Sequence, residues 1–253
     1  MQKNQEVPTE VSEARKLATN KPESQGDAVL RIIQKNVSSS DLNVRRYATA
    51  ALSRVMFATR MAKDMRKQYG VNVTYEAVIA LLPSVIPLLS DVDAEVRTNV
   101  MRTIVLSCHR TDAIEKVITS RYDREPTARI RAMIISYLAM TKTRDARLFV
   151  AKGLKDNDAL VRGWSADALR HLHPVPKEFF SHMLDTYARE HEHFVKQKYM
   201  NALAAHGKEV AEHLPKLEIL LQSENHNQHR AGIARAIYFA ESGKSAKTYP
   251  HSV

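Results

Sequence analysis

The chain contains little of what a disulfide-rich, sheet-rich or membrane-spanning protein requires. Its 253 residues include one cysteine, 7 glycines and 6% aromatic residues. A lone cysteine excludes an intrachain disulfide and a cysteine-based metal site, and Cys108 lies in an apolar stretch, which indicates a buried small side chain. No segment approaches the roughly 18 uncharged apolar residues of a membrane-spanning helix, and the first residues lack the apolar core of a secretory signal. We therefore expect a cytoplasmic protein without membrane contact.

What the chain does contain favours helices. Apolar residues make up 44% of the sequence, enough for a continuous core. Alanine, leucine, valine, isoleucine, lysine and arginine dominate the composition, and the scarcity of glycine argues against a turn-rich sheet fold. The composition predicts an all-α protein.

A repeated pattern of paired helices is the main positive signal. The second helix of each pair opens on a residue here called the anchor, which is apolar in five of six copies, followed by a basic residue, and an apolar residue lies eight positions after the anchor. This spacing places both apolar residues on one face of a helix. From Val96 onward successive anchors are 34, 31, 34 and 34 residues apart, the length of a helical hairpin. The six opening pairs are Val44-Arg45, Val96-Arg97, Ile130-Arg131, Val161-Arg162, Val195-Lys196 and His229-Arg230, and the plus-eight residues are Leu52, Ile104, Leu138, Leu169, Leu203 and Ile237.

The first helix of each pair has a pattern of its own. Residues 82–89 combine two prolines with leucines and other apolar residues, and a related Leu-Pro segment recurs at residues 214–221. Weaker versions lie at residues 112–122, 145–154 and 177–187. Each segment precedes an anchor, so the sequence predicts six helix–turn–helix units.

These units resemble HEAT repeats, with proline in the first helix, aspartate in the turn and Val-Arg at the start of the second helix. The resemblance covers residues 27–241 and implies a right-handed superhelical solenoid of about six helical hairpins. Asp41, Asp93 and Asp158 each lie three residues before an anchor, where we expect them to cap the second helix. The resemblance also implies that the basic residue after the anchor bonds to the turn of a neighbouring repeat. Thr127, Glu192 and His226 replace the aspartate in the other units.

The regions outside the regular repeats differ in composition and spacing. Residues 1–26 and 242–253 are predicted to be a flexible N-terminal segment and a flexible C-terminal tail. The first two anchors are 52 residues apart, which requires an insertion. Because no proline or glycine interrupts residues 43–69, the simplest prediction is that the second helix of the first unit continues as an extension at about residues 56–73.

Most of the excess positive charge lies on that predicted extended helix. The net charge is +10, and residues 45–67 contribute seven basic side chains against one aspartate. One helical seam carries Arg46, Thr49, Ser53, Met56, Arg60, Lys63 and Lys67. A basic seam suits an anionic partner, either a phosphate backbone or an acidic protein surface. The basic residues predicted to bind a partner are Arg46, Arg60, Lys63, Arg66 and Lys67.

The second helices of a solenoid are expected to line a shallow concave surface. Residues expected on that surface are both acidic and basic, so the surface has no uniform sign. They are Arg102, Asp167, Arg170, Lys198, Asn201 and Arg235.

Two further features suggest chemistry without establishing it. Nine of the eleven histidines fall between His171 and His229, but no H-E-x-x-H or other compact ligand set occurs, so we predict no metal and no cofactor. Trp164 and Asp167 invite comparison with bacterial HEAT-like alkylpurine DNA glycosylases, whose pockets use tryptophans and an aspartate. Because this chain has a single tryptophan, Trp164 is better explained as a packing residue, and no catalytic residue is assigned.

The sequence therefore favours a non-enzymatic adaptor or scaffold that binds a protein or peptide with an acidic surface. The rival hypothesis is a nucleic-acid-binding protein that uses the basic helix and concave arginines on phosphates. A glycosylase-like enzyme is the third hypothesis. Salt dependence separates the first two, because binding dominated by phosphates weakens steeply with ionic strength.

Overall fold

A computed structural model of the protein describes residues 26–61 and 73–246. The chain divides after Ile130 into two compact units, Met1–Ile130 and Arg131–Val253. Regular secondary structure in the described ranges is helical throughout, arranged as six successive hairpins. This arrangement confirms the all-α prediction and the number of hairpins.

The first unit holds two complete hairpins and most of a third. The second helix of the first hairpin, α2, packs against the second helix of the next, α5. The last helix of this unit begins at Ala128 and continues across the boundary into the second unit. The helices are α1 Gly26–Asn36, α2 Leu42–Thr59, α3 Tyr75–Ile79, α4 Leu82–Val85 with a 3₁₀ turn at Ile86–Ser90, α5 Ala94–Ser107, α6 Asp112–Tyr122 and α7 Ala128–Met140.

The second unit repeats the arrangement three times. Its second helices, α9, α11 and α14, stack in chain order, since α9 packs on α11 and α11 packs on α14. The helices are α8 Ala146–Gly153, α9 Ala159–Ala168 with a 3₁₀ turn at Leu169–His171, α10 Lys177–Tyr187, α11 His193–Ala205, α12 Gly207–Val210 with a 3₁₀ turn at Ala211–His213, α13 Leu214–Ser223 and α14 Asn227–Ser242.

The predicted apolar stripe forms the core of each unit. Five of the six plus-eight residues are fully buried, and Ile237 in the last hairpin is half-buried. Four anchors are fully buried, while Val44 at the start of the array is half-buried and His229 is nearly buried. The repeat register predicted from the sequence is therefore confirmed.

The three predicted aspartate caps are present. Asp41 accepts hydrogen bonds from the backbone N–H groups of Asn43 and Val44, and Asp93 accepts one from Val96. Asp158 accepts a hydrogen bond from the N–H of Leu160. Each bond satisfies a donor that the first turn of a helix leaves unpaired.

The basic residue after each of the first five anchors forms a charged rung with the next repeat. Arg97 donates to the Glu125 carboxylate at 3.0 and 2.9 Å and to the carbonyls of Asp91 and Val92 in its own turn. The carboxylate of each rung lies five residues before the next anchor, and it also accepts the N–H of the residue two positions later, as Glu125 does from Thr127. The pairs are Arg45–Asp91, Arg97–Glu125, Arg131–Asp156, Arg162–Glu190 and Lys196–Glu224.

The charged rungs predict a loss of stability in acid. Burial alone would raise the pKa of Glu190, but the hydrogen bonds from Arg162 and from the backbone outweigh it and hold this pKa below its usual value of 4.5. A carboxyl whose folded pKa is lowered contributes stability above its unfolded pKa and loses it as the pH falls through the folded pKa. We expect the free energy of unfolding to fall as the pH decreases below about 4.5, as measured by urea denaturation at a series of pH values.

The control for this prediction is Glu190→Gln, which removes the titrating group while retaining a carbonyl acceptor. Its free energy of unfolding should be lower than that of the wild-type protein near neutral pH and should vary less steeply with pH below about 4.5. Equal slopes in the two proteins would contradict the assignment of acid sensitivity to this rung.

The structure describes part of two predicted features at the edges of the repeats. The second helix of the first hairpin, α2, ends at Thr59, where the N–H groups of Arg60 and Met61 bond to carbonyls three residues back, and the rest of the predicted extension to residue 73 lies mostly outside the described residues and stays a prediction. The chain after α14 does not leave the fold at Ser242. Gly243 adopts a left-handed conformation (φ 64°) that reverses the chain, and the N–H of buried Ala246 donates to the carbonyl of Ala204. Residues 1–25, 62–72 and 247–253 lie outside the described residues.

Within residues 26–61 and 73–246, none of the helices combines the length and the apolar character needed to cross a membrane.

Candidate functional site

The basic seam predicted on α2 is not a continuous exposed face. Its three middle residues, Thr49, Ser53 and Met56, are buried. The Arg46 guanidinium bonds to the Asp93 carboxylate at 2.6 and 3.1 Å. The seam is covered because this side of α2 faces α5, whose cap residue is Asp93. Arg46 therefore connects two hairpins.

The projecting end of the predicted basic helix begins at Arg60. This residue is exposed, and its Nη1 lies 3.5 Å from the carbonyl oxygen of Ser107. Lys63, Arg66 and Lys67 lie outside the described residues, so their assignment to a binding surface stays a prediction.

Three of the predicted concave residues form an ion-paired cluster in the second unit. Asp167 on α9 is buried and accepts a hydrogen bond from Lys198 Nζ on α11 at 2.8 Å. Arg170 Nη2 lies 3.1 Å from the other oxygen of the same carboxylate. The cluster therefore holds one acid between two bases, and its cations already have a partner.

Trp164 lies beside this cluster and packs as the sequence predicts. Its ring is 6.2 Å from that of Phe194, and Lys198 Nζ lies 4.5 Å from the Trp164 ring centre. The ammonium group over the indole face adds a cation–π contact. Phe194 approaches α9 closely because position 163 is glycine, where an added Cβ would lie 2.2 Å from its ring. This contact accounts for Trp164 without a substrate.

The other two concave residues of the second unit are not brought into this cluster. Asn201 is half-buried on α11. Arg235 is exposed on α14, with its guanidinium carbon 5.8 Å from the Phe239 ring centre. Their assignment to a partner-binding surface stays a prediction.

Arg102, the remaining predicted concave residue, lines a groove in the first unit together with two arginines that the sequence analysis did not single out. The groove has a volume of about 420 Å³. Arg54 comes from α2, Arg102 from α5 and Arg129 from the first turn of α7. We call this feature the arginine groove. Its lining residues are Ala50, Arg54, Ala94, Glu95, Thr98, Asn99, Arg102 and Arg129.

The arginine groove concentrates positive charge without a balancing ion pair. None of its three arginines forms a salt bridge with a carboxylate in the described part of the chain. Burial lowers the pKa of Arg102, and the positive charges of Arg129 and Arg54 lower it further. Burial and the two neighbouring charges all disfavour the positively charged form of Arg102, so an anion placed between these side chains would be stabilised.

Asn99 supplies a further unpaired donor in the arginine groove. This side chain is 4% exposed, and its Oδ1 accepts a 3.3 Å hydrogen bond from Arg102 Nη1. Its Nδ2 has no hydrogen-bond partner among the described residues. A buried amide donor without an acceptor costs free energy, so this position at the wall of the groove is not optimised for stability.

A sequence signal for the arginine groove was available in the repeat register. Counted from their own anchors, Arg129 lies at position −1, Asn99 at +3, Arg102 at +6 and Arg54 at +10. Spacings of 4, 3 and 4 describe one seam of a second helix. Superimposing the repeats would have placed the four side chains on a shared surface, whereas reading each helix alone did not.

The histidine-rich region forms two groups in the second unit, each with ligand atoms within 4.8 Å of one another. One group contains His193, His226 and His229. The other contains His173, His206 and Glu209. Reading along the sequence missed both groups, because their members belong to different hairpins.

Comparisons with known proteins support the fold. No family model and no curated protein sequence matches the chain. Among solved structures, an archaeal HEAT-like repeat protein from Thermococcus onnurineus NA1 is 14% identical with a TM-score of 0.55, over 94% of this chain and 99% of the other. A designed armadillo repeat protein is 16% identical with a TM-score of 0.55, over 83% and 99%. An engineered protein gives 16% identity and a TM-score of 0.55, over 85% and 99%.

These identities are low, so the likeness concerns architecture. The matches extend over most of both chains, and the buried stripes, aspartate caps and charged rungs follow the repeat period. The protein is therefore an all-α solenoid with the HEAT/armadillo-like repeat fold.

Proposed function

We propose that the protein is a non-enzymatic adaptor that holds an acidic segment of a partner protein in the arginine groove. The observation that carries this proposal is the convergence of Arg54, Arg102 and Arg129 on one groove without an ion pair in the described ranges. Guanidinium groups bind carboxylates through paired, charge-assisted hydrogen bonds. Aspartate or glutamate side chains of an extended segment fit this chemistry.

The distribution of the remaining charges favours a local acidic ligand over a nucleic-acid backbone. Three other basic side chains near the second helices already have carboxylate partners. Arg170 and Lys198 contact Asp167, and Arg46 contacts Asp93. A phosphate backbone presents a long row of charges and calls for a continuous basic track. The arginine groove is a single positive site, bordered by Glu95 and small side chains.

The ion-paired cluster around Asp167 favours a binding protein over an enzyme. A catalytic acid or base needs access to a substrate and a suitable protonation state. Asp167 is buried between two cations, and Trp164 is covered by Phe194 and Lys198. These contacts favour a packing role, and we propose an adaptor acting in a cytoplasm-like compartment.

The test measures binding of a fluorescent glutamate-rich peptide by anisotropy to wild-type protein and to the Arg54→Glu/Arg129→Glu double variant. Both positions are exposed, so the variant should remain folded, with unfolding free energy changed by about 0.5 kcal/mol or less per site. A hydrogen bond to a charged group contributes about 1.5–3 kcal/mol. Loss of two such contacts should raise the Kd by at least roughly 100-fold.

Arg144→Glu/Arg189→Glu is the matched control, because it makes the same change in net charge at two exposed positions outside the groove. It should alter the Kd of the peptide only slightly. Equal weakening by both double variants would mean that net charge, not the groove, attracts the peptide. Tighter binding of duplex DNA than of the peptide, with a steep salt dependence lost in the groove variant, would support the nucleic-acid rival.

A further inference from the structure

We propose that His193, His226 and His229 bind a divalent transition-metal ion, with Glu224 orienting His229. The three histidines come from the adjacent hairpins of the second unit. His193 is the first residue of α11, His226 is the residue before α14, and His229 lies in the first turn of α14. Three imidazoles are a common ligand set for zinc and related ions, with a fourth position left for water or an external ligand.

The nitrogen positions are close to those that a metal requires. In a tetrahedral site with metal–nitrogen bonds of 2.0–2.1 Å, two ligand nitrogens lie about 3.3 Å apart. His193 Nδ1 and His229 Nε2 are 3.0 Å apart, and ligand atoms of all three residues lie within 4.8 Å. The third nitrogen therefore needs to move by about 1.5 Å to complete the site. His226 and His193 are both exposed, so rotation of their side chains can supply this movement.

Glu224 lies where it favours one tautomer of His229, the one whose Nε2 lone pair faces the other histidines. His229 is 5% exposed, and its buried Nδ1 has no hydrogen-bond partner among the described residues. Glu224 Oε2 lies 3.5 Å from this atom. A carboxylate beside Nδ1 favours the tautomer that carries a proton there, which leaves the lone pair of Nε2 directed at His193. Metal-binding histidines commonly have such a carboxylate on the second nitrogen.

The surrounding charges leave room for a cation. Two basic side chains lie at this end of the hairpins. Lys196 Nζ lies 3.3 Å from Glu224 Oε2 and 4.7 Å from the Tyr187 ring centre, and Arg230 Nη1 donates to the carbonyls of Leu221 and Glu224. Glu224 also accepts a hydrogen bond from the Tyr187 hydroxyl at 3.1 Å. The ammonium of Lys196 is therefore already paired with the Glu224 carboxylate, and this ion pair adds no net positive charge beside the histidines.

The second histidine group, His173, His206 and Glu209, offers two imidazoles and one carboxylate instead of three imidazoles. Its carboxylate already has neighbours on both oxygens, since Glu209 Oε2 accepts the N–H of Val175 and Glu209 Oε1 lies 3.6 Å from His173 Nδ1 and 3.8 Å from His206 Nδ1. This group provides a comparison for the experiment, because a variant at His173 removes its exposed histidine.

The test is calorimetric titration of Zn²⁺ into the full-length chain after treatment with a chelator, with Co²⁺ absorption as a second readout. We expect one ion per chain and the intense visible bands of four-coordinate Co²⁺. Loss of a hydrogen-bond partner outside the ligand shell weakens metal binding by up to about 100-fold. Loss of a ligand should cost at least as much, so His193→Ala and His226→Ala should each weaken Zn²⁺ binding by at least about 100-fold. Glu224→Gln should weaken it by roughly 10-fold.

His191→Ala and His173→Ala are the matched controls, since both remove exposed histidines that lie outside the proposed site. They should leave the Kd for Zn²⁺ and the stoichiometry unchanged. Zn²⁺ should also raise the Tm of the wild-type protein, an increase that His193→Ala abolishes. Absence of stoichiometric Zn²⁺ binding by the wild-type protein, or an unchanged Kd for Zn²⁺ in His193→Ala and His226→Ala, would overturn the proposal. Loss of binding in His173→Ala alone would do the same.

Discussion

Replacing Leu138 with alanine is expected to lower the free energy of unfolding by about 2–5 kcal/mol. Leu138 is the plus-eight residue of the third hairpin and has no exposed surface. The substitution removes three carbon atoms from a site surrounded by other side chains, so the loss combines the transfer free energy of these atoms with a cavity term. Urea denaturation followed by circular dichroism measures the change.

Leu148→Ala is the control for the core substitution, because it makes the same chemical change on a side chain that is 55% exposed. Its effect should lie within about 0.5 kcal/mol. If Leu138→Ala and Leu148→Ala had equal effects, the buried stripe that defines the repeat register would be wrong.

Replacing Glu125 with alanine should lower the free energy of unfolding by about 3–5 kcal/mol, the usual cost of removing one partner from a buried ion pair. The Glu125 carboxylate is fully buried, and it accepts hydrogen bonds from Arg97 and Arg121 as well as from the backbone of Thr127. After the substitution, the buried Arg97 guanidinium retains neutral partners, the carbonyl oxygens of Asp91 and Val92 and the Thr127 hydroxyl, and no carboxylate among them. An uncompensated cation in the interior is the source of the expected loss.

Asp185→Ala is the matched control for this pair. Asp185 and Lys216 form an ion pair in which both side chains are exposed. Exposed pairs contribute about 0–1 kcal/mol, so this substitution should have a small effect. A similarly small effect of Glu125→Ala would contradict a structural role for the charged rung. Thermal and urea denaturation of the two variants under the same conditions provide the comparison.

The repeated helices were predictable because their signals are local. The predicted segments 112–122 and 177–187 coincide with α6 and α10. Asp41, Asp93 and Asp158 marked the starts of second helices through a hydrogen bond that spans two or three residues. Burial of Leu169 followed from the 3.6-residue period of a helix.

Features that depend on a neighbouring helix were harder to predict. The face of α2 that carries Thr49 and Met56 has polar and apolar residues, and only its contact with α5 makes it interior. The sequence implied that the arginines after the anchors bond to a turn, but their carboxylate partners were not identified. An acidic residue five positions before the anchor recurs in five consecutive repeats and was an available signal.

The candidate sites were only partly predictable for the same reason. Arg102 was expected on the concave surface, whereas Arg54 and Arg129 were not grouped with it. The three arginines come from three different helices, and their convergence depends on how successive hairpins stack. His193 and His229 are 36 residues apart, so their 3.0 Å approach is likewise a property of the stack.

The charged rungs also determine how easily the array can accept additional chain between its repeats. Arg45 and Asp91 are 46 residues apart, whereas Arg97 and Glu125 are 28 apart, yet both rungs close with comparable Nε–carboxylate distances of 2.9 and 3.0 Å. The first rung therefore closes as tightly as the second although 46 − 28 = 18 more residues separate its partners. The connection between α2 and α3 is therefore a position where evolution or protein engineering can lengthen the chain without disturbing the stack.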